Sequence, residues 1–553
     1  MSVDDDGPGT PAGGDRRPAK TTDDQLEVVW VGGEVAGAVP APEPESGALR
    51  SDARLFRRVP ALALLTIGSS AVSAVVAVVA ARRLGPGRYG QAEAVVLAYS
   101  IGGLLQLGAF SGGVRNAIHR RAMGEHEAAT RDQNVGWTFE LLVSLVPGFA
   151  LAVVAPFAHS HVVQLGFLLA PIALGLSSMA GFLGSIEIGT GRAAKATLVA
   201  SAGAVVAGLA TLVLLVPMGA PAVYVGPMAG SLVSVLWLGA RQRGQGLRWH
   251  LDLRIAGQLI RQGFALAVNG VAYWCYRWIG PASVAVGLGT VWLGIYSIAA
   301  APLALAFGGL IIGARLFFPG FWQDIARGDR DRWVPEGDRL TSSLIVSAAL
   351  VATAGQVLFP WFVGVFPPSF AAAIPIFAVL ALEIPLFLGP QVPSLVLDST
   401  VVNRQRLHAL VWLSALALNL VANVVVLALH LGAMAVAWND VAAQALILVT
   451  MFTLGRPYQG PLLERRRQLG PGMAGLVGTV VVCGLLTGLT VARPSTSLAS
   501  MGVRAALAVG GWLVVLVAFW AVRRAWRPDT APPPAGAVHP APLTARDPAP
   551  TGD

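Results

Sequence analysis

Apolar residues along this chain come in long blocks, which alternate with short polar segments. Each block has about 20 residues, the length of helix that crosses the ~30 Å hydrocarbon core of a bilayer at 1.5 Å per residue. The pattern therefore predicts an all-α polytopic membrane protein with fourteen spans, the last of which ends near Val522. We expect the spans to begin near Pro60, Gln91, Trp137, Val162, Ala194, Pro221, Gln262, Val291, Thr341, Ser369, Leu407, Gly432, Met473 and Met501.

The two ends of the chain lack these blocks. Residues 1–53 are rich in Asp, Glu, Gly and Pro without a sustained apolar period, which predicts a disordered tail. Residues 525–553 are rich in proline and predict a second disordered tail. The first apolar block lies too far from Met1 to be the core of a cleavable secretion signal, so we expect the N-terminal tail to stay in the cytoplasm.

The composition excludes a soluble globular protein. Apolar residues make up 55% of the 553 residues and charged residues 12%, about half the charged fraction of soluble proteins. The net charge of +9 does not indicate a nucleic-acid partner, because the basic residues lie between the apolar blocks. Both cysteines, Cys275 and Cys483, lie inside apolar blocks, so we expect neither a disulfide framework nor a cysteine metal site.

Basic residues are distributed unequally between the two sides of the membrane. The segments on one side hold 29 Lys or Arg, and those on the other hold five, which are Arg82, Arg83, Arg88, Arg493 and Arg504. Because cytoplasmic loops of membrane proteins carry the excess of positive charge, both termini are predicted to be cytoplasmic. Arginine far outnumbers lysine, a bias typical of a GC-rich genome, and we expect a multi-pass protein of a bacterial inner membrane.

Two short motifs each occur twice. Residues 84–90 read LGPGRYG between spans one and two, and residues 288–294 read LGTVWLG between spans seven and eight. The turn before span six reads GAPAV from Gly219, and span twelve begins with GAMAV from Gly432. The two pairs have nearly the same spacing, which indicates a duplication.

The duplication predicts two lobes of six spans. Because an even number of spans separates the copies, the lobes insert in the same orientation and form parallel repeats. We place the lobes at residues 54–254 and 255–458, with two further spans in residues 459–524. A cavity between the lobes is the expected substrate path.

The same motifs carry a family resemblance. Residues 84–90, followed by an apolar span and a basic stretch from Arg115 to Arg121, resemble the opening of polysaccharide biosynthesis flippases of the O-antigen translocase type. The resemblance extends over residues 55–525. Its later motifs are Gly191-Arg192, Gly294-Ile295-Tyr296, Phe317-Phe318-Pro319 and Asn403-Arg404.

The resemblance implies a two-lobed transporter of the multidrug/oligosaccharidyl-lipid/polysaccharide exporter superfamily. Its cargo would be an undecaprenyl-pyrophosphate-linked oligosaccharide, moved from the inner to the outer leaflet by alternating access. The implied partners are this lipid-linked oligosaccharide and membrane lipid, and other polysaccharide assembly proteins stay open as partners. We expect no nucleic-acid partner and no cofactor.

Three ionisable residues interrupt apolar blocks in the second lobe. A charged side chain at the bilayer centre costs about 2.5–3.5 kcal/mol on insertion scales, so each requires a partner or a function. Arg277 shares one helical face with Asn269 and Tyr273, and we expect this stripe and Glu383 to line the substrate path. The guanidinium suits pyrophosphate or an acidic sugar. A structural ion pair of Arg277 with Glu383 or Asp440 is the alternative.

Polar residues also gather on spans eleven and twelve. Asn419 and Asn423 lie one turn apart on span eleven, and Asn439 and Asp440 lie on span twelve. Carboxylate and amide oxygens suit a hard cation. Some lipid-linked-precursor flippases of this superfamily bind Na⁺ among helices seven, eleven and twelve, so the resemblance makes Na⁺ coupling a hypothesis. Coupling to H⁺ and simple hydrogen bonding between packed helices are the alternatives.

Charges at the cytoplasmic side of the first lobe are expected to be shallow. Arg115 and Arg192 are candidates for contact with the lipid headgroup. Glu140 and Glu187 lie near span ends, and we expect water to reach both. We expect no charge in this lobe to lie as deep as those of the second lobe.

Two other functions remain open. One is a cation-coupled drug or metabolite antiporter of the same superfamily. The other is a polytopic membrane enzyme acting on lipid-linked sugars, although the predicted external loops are too short to hold a set of catalytic acids and bases. The chain contains no G-x-x-x-x-G-K-[ST] phosphate-binding loop. We therefore expect a transporter and not an enzyme.

Overall fold

The computed structural model describes most of the chain. The described residues are 29–31, 34–36, 48–104, 109–122, 124–189, 192–243, 247–315, 321, 325, 330–399, 402, 404–455, 473–492 and 496–525.

The described residues form an all-α bundle, as predicted. In the first lobe the helices are α1 (Ala48–Gly102), α2 (Ala109–Ala122), α3 (His126–Val154), α4 (His161–Gly189), α5 (Ala193–Met218) and α6 (Ala222–Arg243). They continue with α7 (Leu253–Gly287), α8 (Thr290–Arg315), α9 (Arg330–Val365), α10 (Ala373–Leu380), α11 (Glu383–Leu388), α12 (Gln391–Asp398), α13 (Gln405–Ala428) and α14 (Ala433–Gly455). The last two are α15 (Met473–Ala492) and α16 (Leu498–Ala525).

Twelve helices in the described part of the chain are long and apolar enough to cross a membrane. One of these stretches, Gly68–Gly102, contains two helices that meet at a kink at Gly85, so it covers the first two predicted spans. Helix α7 is not among the twelve, although its 35 residues exceed the length that a crossing needs. These two differences reconcile the twelve stretches with the fourteen predicted spans.

Four helices begin well before the predicted span, the first of them α1, which begins at Ala48 and not near Pro60. Helix α3 begins at His126, not near Trp137, and α7 begins at Leu253, not near Gln262. Helix α9 begins at Arg330, not near Thr341. Apolar periodicity marks the part of a helix that lies in lipid, whereas polar turns of the same helix can continue into water. The predictions therefore located the spans correctly but underestimated the lengths of these helices.

The predicted duplication has a counterpart in the backbone. Gly85 and Gly289, which occupy the same place in the two copies of the first motif, have φ values of 71° and 85°. Gly219 and Gly432, which correspond in the second motif, have φ values of 66° and 83°. Glycine adopts this left-handed region without the steric penalty that a Cβ brings. The repeated glycines thus make the same turn in each copy.

The two copies of the first motif also lie against each other. A Cβ at Gly90 would overlap the carbonyl oxygen of Thr290, and a Cβ at Gly294 would overlap that of Pro86. The backbones of α1 and α8 therefore touch, which joins the first predicted lobe to the second. We call this end of the bundle, where α1 kinks and α8 begins, the distal end.

The lobes meet again at the opposite end, which we call the proximal end. A Cβ at Gly112 of α2 would overlap the carbonyl oxygen of Leu259 in α7. The segment before α7 is held on α3, because the backbone amides of Arg248 and His250 donate to side chains of that helix at 2.9 and 3.0 Å. The lobes therefore contact each other at both ends. The exact domain limits stay predictions.

The last two helices pack beside α9 of the second lobe. Trp512 of α16 donates its indole N–H to the Thr353 hydroxyl of α9 at 3.1 Å. Gln356, also on α9, donates to the Thr487 hydroxyl of α15 at 3.0 Å. Residues 456–472, which lead into α15, lie outside the described residues.

The predicted tails lie largely outside the described residues. Within the N-terminal one, Val29–Val31 pairs antiparallel with Glu34–Ala36, and α1 begins at Ala48. The C-terminal tail follows Ala525, the last residue that the structure describes. The predicted disorder of both tails stays a prediction.

Candidate functional site

The tenth predicted span is broken into three short helices in the second lobe. Helix α10 ends at Leu380, α11 runs from Glu383 to Leu388, and α12 begins at Gln391. Glu383 is thus the first residue of the middle segment, next to the first break. Membrane proteins tolerate such breaks where the backbone is buried in protein or lines a cavity. The break therefore marks a candidate site.

Arg277 of α7 reaches this break. Its guanidinium Nη1 lies 3.3 Å from Oε2 of Glu383, and only 4% of Glu383 is exposed. The guanidinium carbon also lies 4.6 Å from the ring centroid of Phe307, a cation–π contact with α8. Arg277 is therefore held on two sides, by a carboxylate and by an aromatic face.

Asp440 of α14 borders the same region as Arg277 and Glu383. The Tyr296 hydroxyl donates to its Oδ2 at 2.6 Å, and the Asn419 amide donates to its Oδ1 at 2.8 Å. The Tyr276 hydroxyl donates to its backbone carbonyl at 2.7 Å. A Cβ at Gly280 of α7 would overlap the carboxylate, so this glycine makes room for it. Helices α7, α8 and α13 thus converge on Asp440.

The amides behind Asp440 form a chain that runs in one direction. Asn439 donates to Asn423 at 3.3 Å, and Asn423 donates to Asn419 at 3.0 Å. Asn419 then donates to Asp440. Each donor points toward the carboxylate, an arrangement that stabilises its ionised form by polarising successive hydrogen bonds. The four polar residues of spans eleven and twelve are thus hydrogen-bonded to one another, and their role in ion coupling stays a prediction.

A small cavity joins the two groups. Its volume is about 30 Å³, enough for a water molecule and far too small for a sugar. Both carboxylates and the guanidinium face this space, which is lined by Tyr276, Arg277, Pro281, Tyr296, Ala300, Leu303, Leu380, Glu383 and Asp440. All of these residues belong to the second predicted lobe, so the cavity lies within that lobe and not between the two lobes, where the substrate path was expected.

Aromatic rings close the site on the side of α7. The ring of Tyr273 lies 5.3 Å from that of Trp412 and 5.7 Å from that of Phe387, measured between centroids. Phe387 in turn lies 4.4 Å from Phe307, the ring that contacts the guanidinium. Tyr273 therefore packs in this aromatic group one helical turn from Arg277. The side chain of Asn269 lies outside the described part of the chain.

At the proximal end, Arg192 forms an ion pair with a buried acid. Its Nε lies 3.0 Å from Glu187, which is fully buried and which also pairs with Arg241 at 3.3 Å. Gln242 donates to the same carboxylate at 2.6 Å. The expectation that water reaches Glu187 was wrong, because the ends of α5 and α6 cover it. The side chain of Arg115 lies outside the described residues.

The sequence interpretation also missed the burial of Asp132 and Glu140 in the first lobe, and the contacts of Glu93, which is half-buried. Glu140 is only 1% exposed, and the described residues offer its carboxylate no well-formed hydrogen bond, although the Ser178 hydroxyl is a neighbour. Glu93 accepts hydrogen bonds from Tyr89 on its own helix and from Ser297 on α8. The four-residue spacing of Tyr89 and Glu93 was the available signal, since it places both on one helical face.

No group of three His, Cys, Asp or Glu side chains that could hold a metal ion occurs among the described residues. A cation near Asp440 would instead be held by one carboxylate with amide and hydroxyl oxygens. Such a set suits a hard cation of low charge more than a transition metal.

Comparison with known proteins agrees with the family resemblance. Residues 79–310 match a family described as polysaccharide biosynthesis protein. No curated protein sequence matches the chain.

Solved structures share the fold. The chain is similar to lipid II flippase MurJ in an inward closed conformation, with a TM-score of 0.61 and 11% identity over 84% of this chain and 99% of that one. It is also similar to an inward-facing multidrug resistance MATE family transporter of the MOP superfamily, with a TM-score of 0.52, 14% identity and coverage of 72% and 94%. A MOP superfamily transporter from Pyrococcus furiosus matches with the same TM-score, identity and coverage. The predicted resemblance is confirmed by the family match of residues 79–310 and by the shared fold.

Proposed function

We propose that this multi-pass membrane protein is a flippase for a lipid-linked oligosaccharide. The cargo is an undecaprenyl-pyrophosphate-linked oligosaccharide, which moves from the inner to the outer leaflet of a bacterial inner membrane for surface polysaccharide assembly. The match of residues 79–310 to polysaccharide biosynthesis proteins supports the cargo class, and the shared fold with a lipid II flippase supports the type of transport. The distribution of basic residues supports cytoplasmic termini.

The observation that carries the proposal is the Arg277–Glu383 pair facing the cavity between α7, α8 and α10. A buried arginine on a substrate path is an anion site, because its planar guanidinium binds two oxyanion oxygens at once. Pyrophosphate would take the place of Glu383 on Arg277 when the lobes separate. The carboxylate then neutralises Arg277 in the empty carrier, which would otherwise bury an unpaired charge.

Transport proceeds by alternating access of the two lobes. In the structure the lobes touch at the distal end through Gly90 and Gly294 and at the proximal end through Gly112. Opening the proximal contact admits cargo from the cytoplasmic leaflet, and opening the distal contact releases it. The proposal therefore requires each contact to break in turn.

A cation coupled to transport binds at Asp440. The carboxylate borders the cavity that Arg277 and Glu383 share, so the charge at Asp440 influences the pair electrostatically. Asn419, Asn423 and Asn439 supply further oxygens for Na⁺ once their amides turn, because in the structure each aims an N–H group, and not its oxygen, in the direction of Asp440. Protonation of Asp440 is the H⁺ alternative and needs no such turn. Either cation links a change of charge to the packing of α7, α8, α13 and α14.

The test of the function is replacement of Arg277. We expect Arg277→Ala to insert with a loss of stability, because it leaves the buried Glu383 unpaired, and to abolish both surface polysaccharide display and flipping of a fluorescent lipid-linked oligosaccharide in proteoliposomes. The double variant R277M/E383L, which leaves neither charge, should fold and should also fail to flip. Arg261→Ala on an exposed face of the same helix is the matched control and should transport normally. Normal flipping by Arg277→Ala removes the anion-site argument.

The second candidate is a cation-coupled drug or metabolite antiporter. The shared fold with a multidrug transporter and the aromatic group of Tyr273, Phe307, Phe387 and Trp412 favour it, since aromatic faces bind organic cations. The same proteoliposomes distinguish the two, because an antiporter exchanges a cationic drug against Na⁺ or H⁺ and does not flip the lipid. A polytopic enzyme would instead consume the lipid-linked sugar, which product analysis detects.

A further inference from the structure

Three exposed arginines lie together at the distal end. Arg82 and Arg83 end the first segment of α1, and Arg88 begins the second, on either side of the kink at Gly85. All three are exposed and lie within seven residues of one another around this turn. We call this turn, with the histidines described next, the distal basic rim.

The turn between α3 and α4 adds two exposed histidines, His159 and His161, to the rim. Two contacts place this turn beside the arginines. The Ser160 hydroxyl donates to Gln91 of α1 at 2.9 Å, and Leu84 packs into the same apolar cluster as Val162. Basic groups from two separate turns are thus held on one rigid surface.

No acidic side chain balances this charge. Among the acids near the rim in sequence, Glu93 points into the α1–α8 interface, where it accepts from Ser297. The sequence contains no Asp or Glu in any segment that joins helices on this side, which are 82–90, 155–161, 219–222, 287–290, 366–372, 429–432 and 493–497.

The rim borders the seam between the lobes. A Cβ at Gly87 would lie 3.7 Å from Val291 of α8, and the Gly90–Gly294 contact follows directly below. Cargo that leaves through this seam therefore passes the arginines. Membrane topology does not explain the presence of these arginines, because basic residues are generally enriched in the loops on the cytoplasmic side, which is the opposite side.

We propose that the distal basic rim binds the pyrophosphate of the lipid-linked cargo as it emerges into the outer leaflet. The inference rests on the proposed flippase function and names an exit site that is separate from Arg277. Three guanidinium groups with two imidazoles match the multiple negative charges of a pyrophosphate better than the single charge of a bilayer phosphodiester. A second site of this kind draws the headgroup out of the central cavity, so that Arg277 is free to pair again with Glu383.

The test is photo-crosslinking with a short-chain prenyl pyrophosphate that carries a benzophenone, added to the full-length protein in zwitterionic nanodiscs. We expect the label on peptides covering residues 82–91 or 155–164. The triple variant R82Q/R83Q/R88Q should lower this labelling by about two orders of magnitude, from about fivefold per arginine. The control R131Q/R243Q/R261Q removes three exposed arginines elsewhere and should leave the rim labelling unchanged.

Three results overturn the proposal. Undiminished rim labelling in R82Q/R83Q/R88Q shows that the arginines do not bind the pyrophosphate. Loss of labelling when phosphatidylglycerol replaces a fifth of the disc lipid shows that the rim binds ordinary anionic lipid. Inorganic pyrophosphate is added as a competitor in a separate sample. We expect it to reduce the labelling, because the phosphate groups alone are recognised. Flipping by the wild type in proteoliposomes is measured in parallel. Intact flipping with an unlabelled rim refutes the exit site alone, whereas absent flipping refutes the proposed function.

Discussion

The two carboxylates at the central cavity are neutralised in different ways. Glu383 faces a full positive charge on Arg277, whereas Asp440 accepts hydrogen bonds from the neutral donors Tyr296 and Asn419. Removal of Glu383 therefore leaves a buried cation, while removal of the charge on Asp440 leaves a set of dipoles that still pair with one another. The same cavity thus responds differently to the loss of each acid.

We predict that Glu383→Ala destabilises the protein by about 3–5 kcal/mol, the cost of leaving one partner of a buried ion pair alone. The double variant R277M/E383L should recover most of this loss, because neither charge remains. Thermal unfolding in nanodiscs measures both, with Arg261→Met on the exposed face of α7 as control. Equal destabilisation in the single and double variants would mean that packing, and not the unpaired guanidinium, sets the cost.

For Asp440 the prediction concerns ion dependence. Asp440→Asn has nearly the same shape and keeps an acceptor for Asn419, so we expect it to fold while flipping loses its dependence on Na⁺ or on pH. Tyr296→Phe is the matched variant, since it keeps the charge and loses one hydrogen bond worth about 1 kcal/mol. It should keep the ion dependence. Unaltered ion dependence in Asp440→Asn would make Asp440 a structural residue.

Sequence reasoning found the ionisable residues and the asparagines of this site and missed its aromatic partners on α8. Arg277, Glu383 and Asp440 stand out because charges are rare in apolar blocks. Tyr296 and Phe307 do not, because aromatic residues are ordinary in membrane helices and only the packing of α8 against α7 gives them a role. The sequence also did not show whether Arg277 pairs with Glu383 or with Asp440, because the three residues lie on different helices. The structure shows the pair with Glu383.

At the scale of helices, periodicity located the spans well and their interruptions poorly. The break before Glu383 falls in a run as apolar as its neighbours, so periodicity does not show it. Pro385 is the available signal, because it has no backbone N–H to bond to the carbonyl of Ala381 four residues earlier. Glycine motifs did better. The repeated L-G-x-x-x-x-G pattern predicted two equivalent turns, although not that the two copies would meet each other at the distal end.

The close contact between the two copies of the motif, on α1 and α8, predicts the effect of Gly90→Ala. A methyl group there would overlap the Thr290 carbonyl, so α1 and α8 must move apart. We expect a loss of stability of about 2 kcal/mol or more, within the range for overpacked interfaces, and a population shifted toward the state with the distal end open. Gly68→Ala in the same helix has open space around its Cβ and should be neutral or stabilising by up to about 1 kcal/mol. Equal melting temperatures for the two variants would contradict the close contact.

For the whole molecule, the important feature is that the lobes touch at both ends at once. The contacts at Gly90 and Gly112 lie on opposite sides of the cavity that holds Arg277. Alternating access of the two lobes then requires one contact to break while the other holds. A flippase with this architecture stops when either seam is locked.

A disulfide across the distal seam tests this requirement. The Cβ position at Gly87 lies 3.7 Å from a side-chain methyl of Val291, so Cys at both positions should bond with little strain. We expect oxidised G87C/V291C to bind lipid-linked oligosaccharide from the cytoplasmic side but not to flip it, and reduction to restore flipping. V291C alone is the control for the substitution, and the native Cys275 and Cys483 lie inside helices away from this seam. Flipping by the oxidised double variant would mean that cargo crosses without the distal ends of α1 and α8 separating, which alternating access of two lobes does not allow.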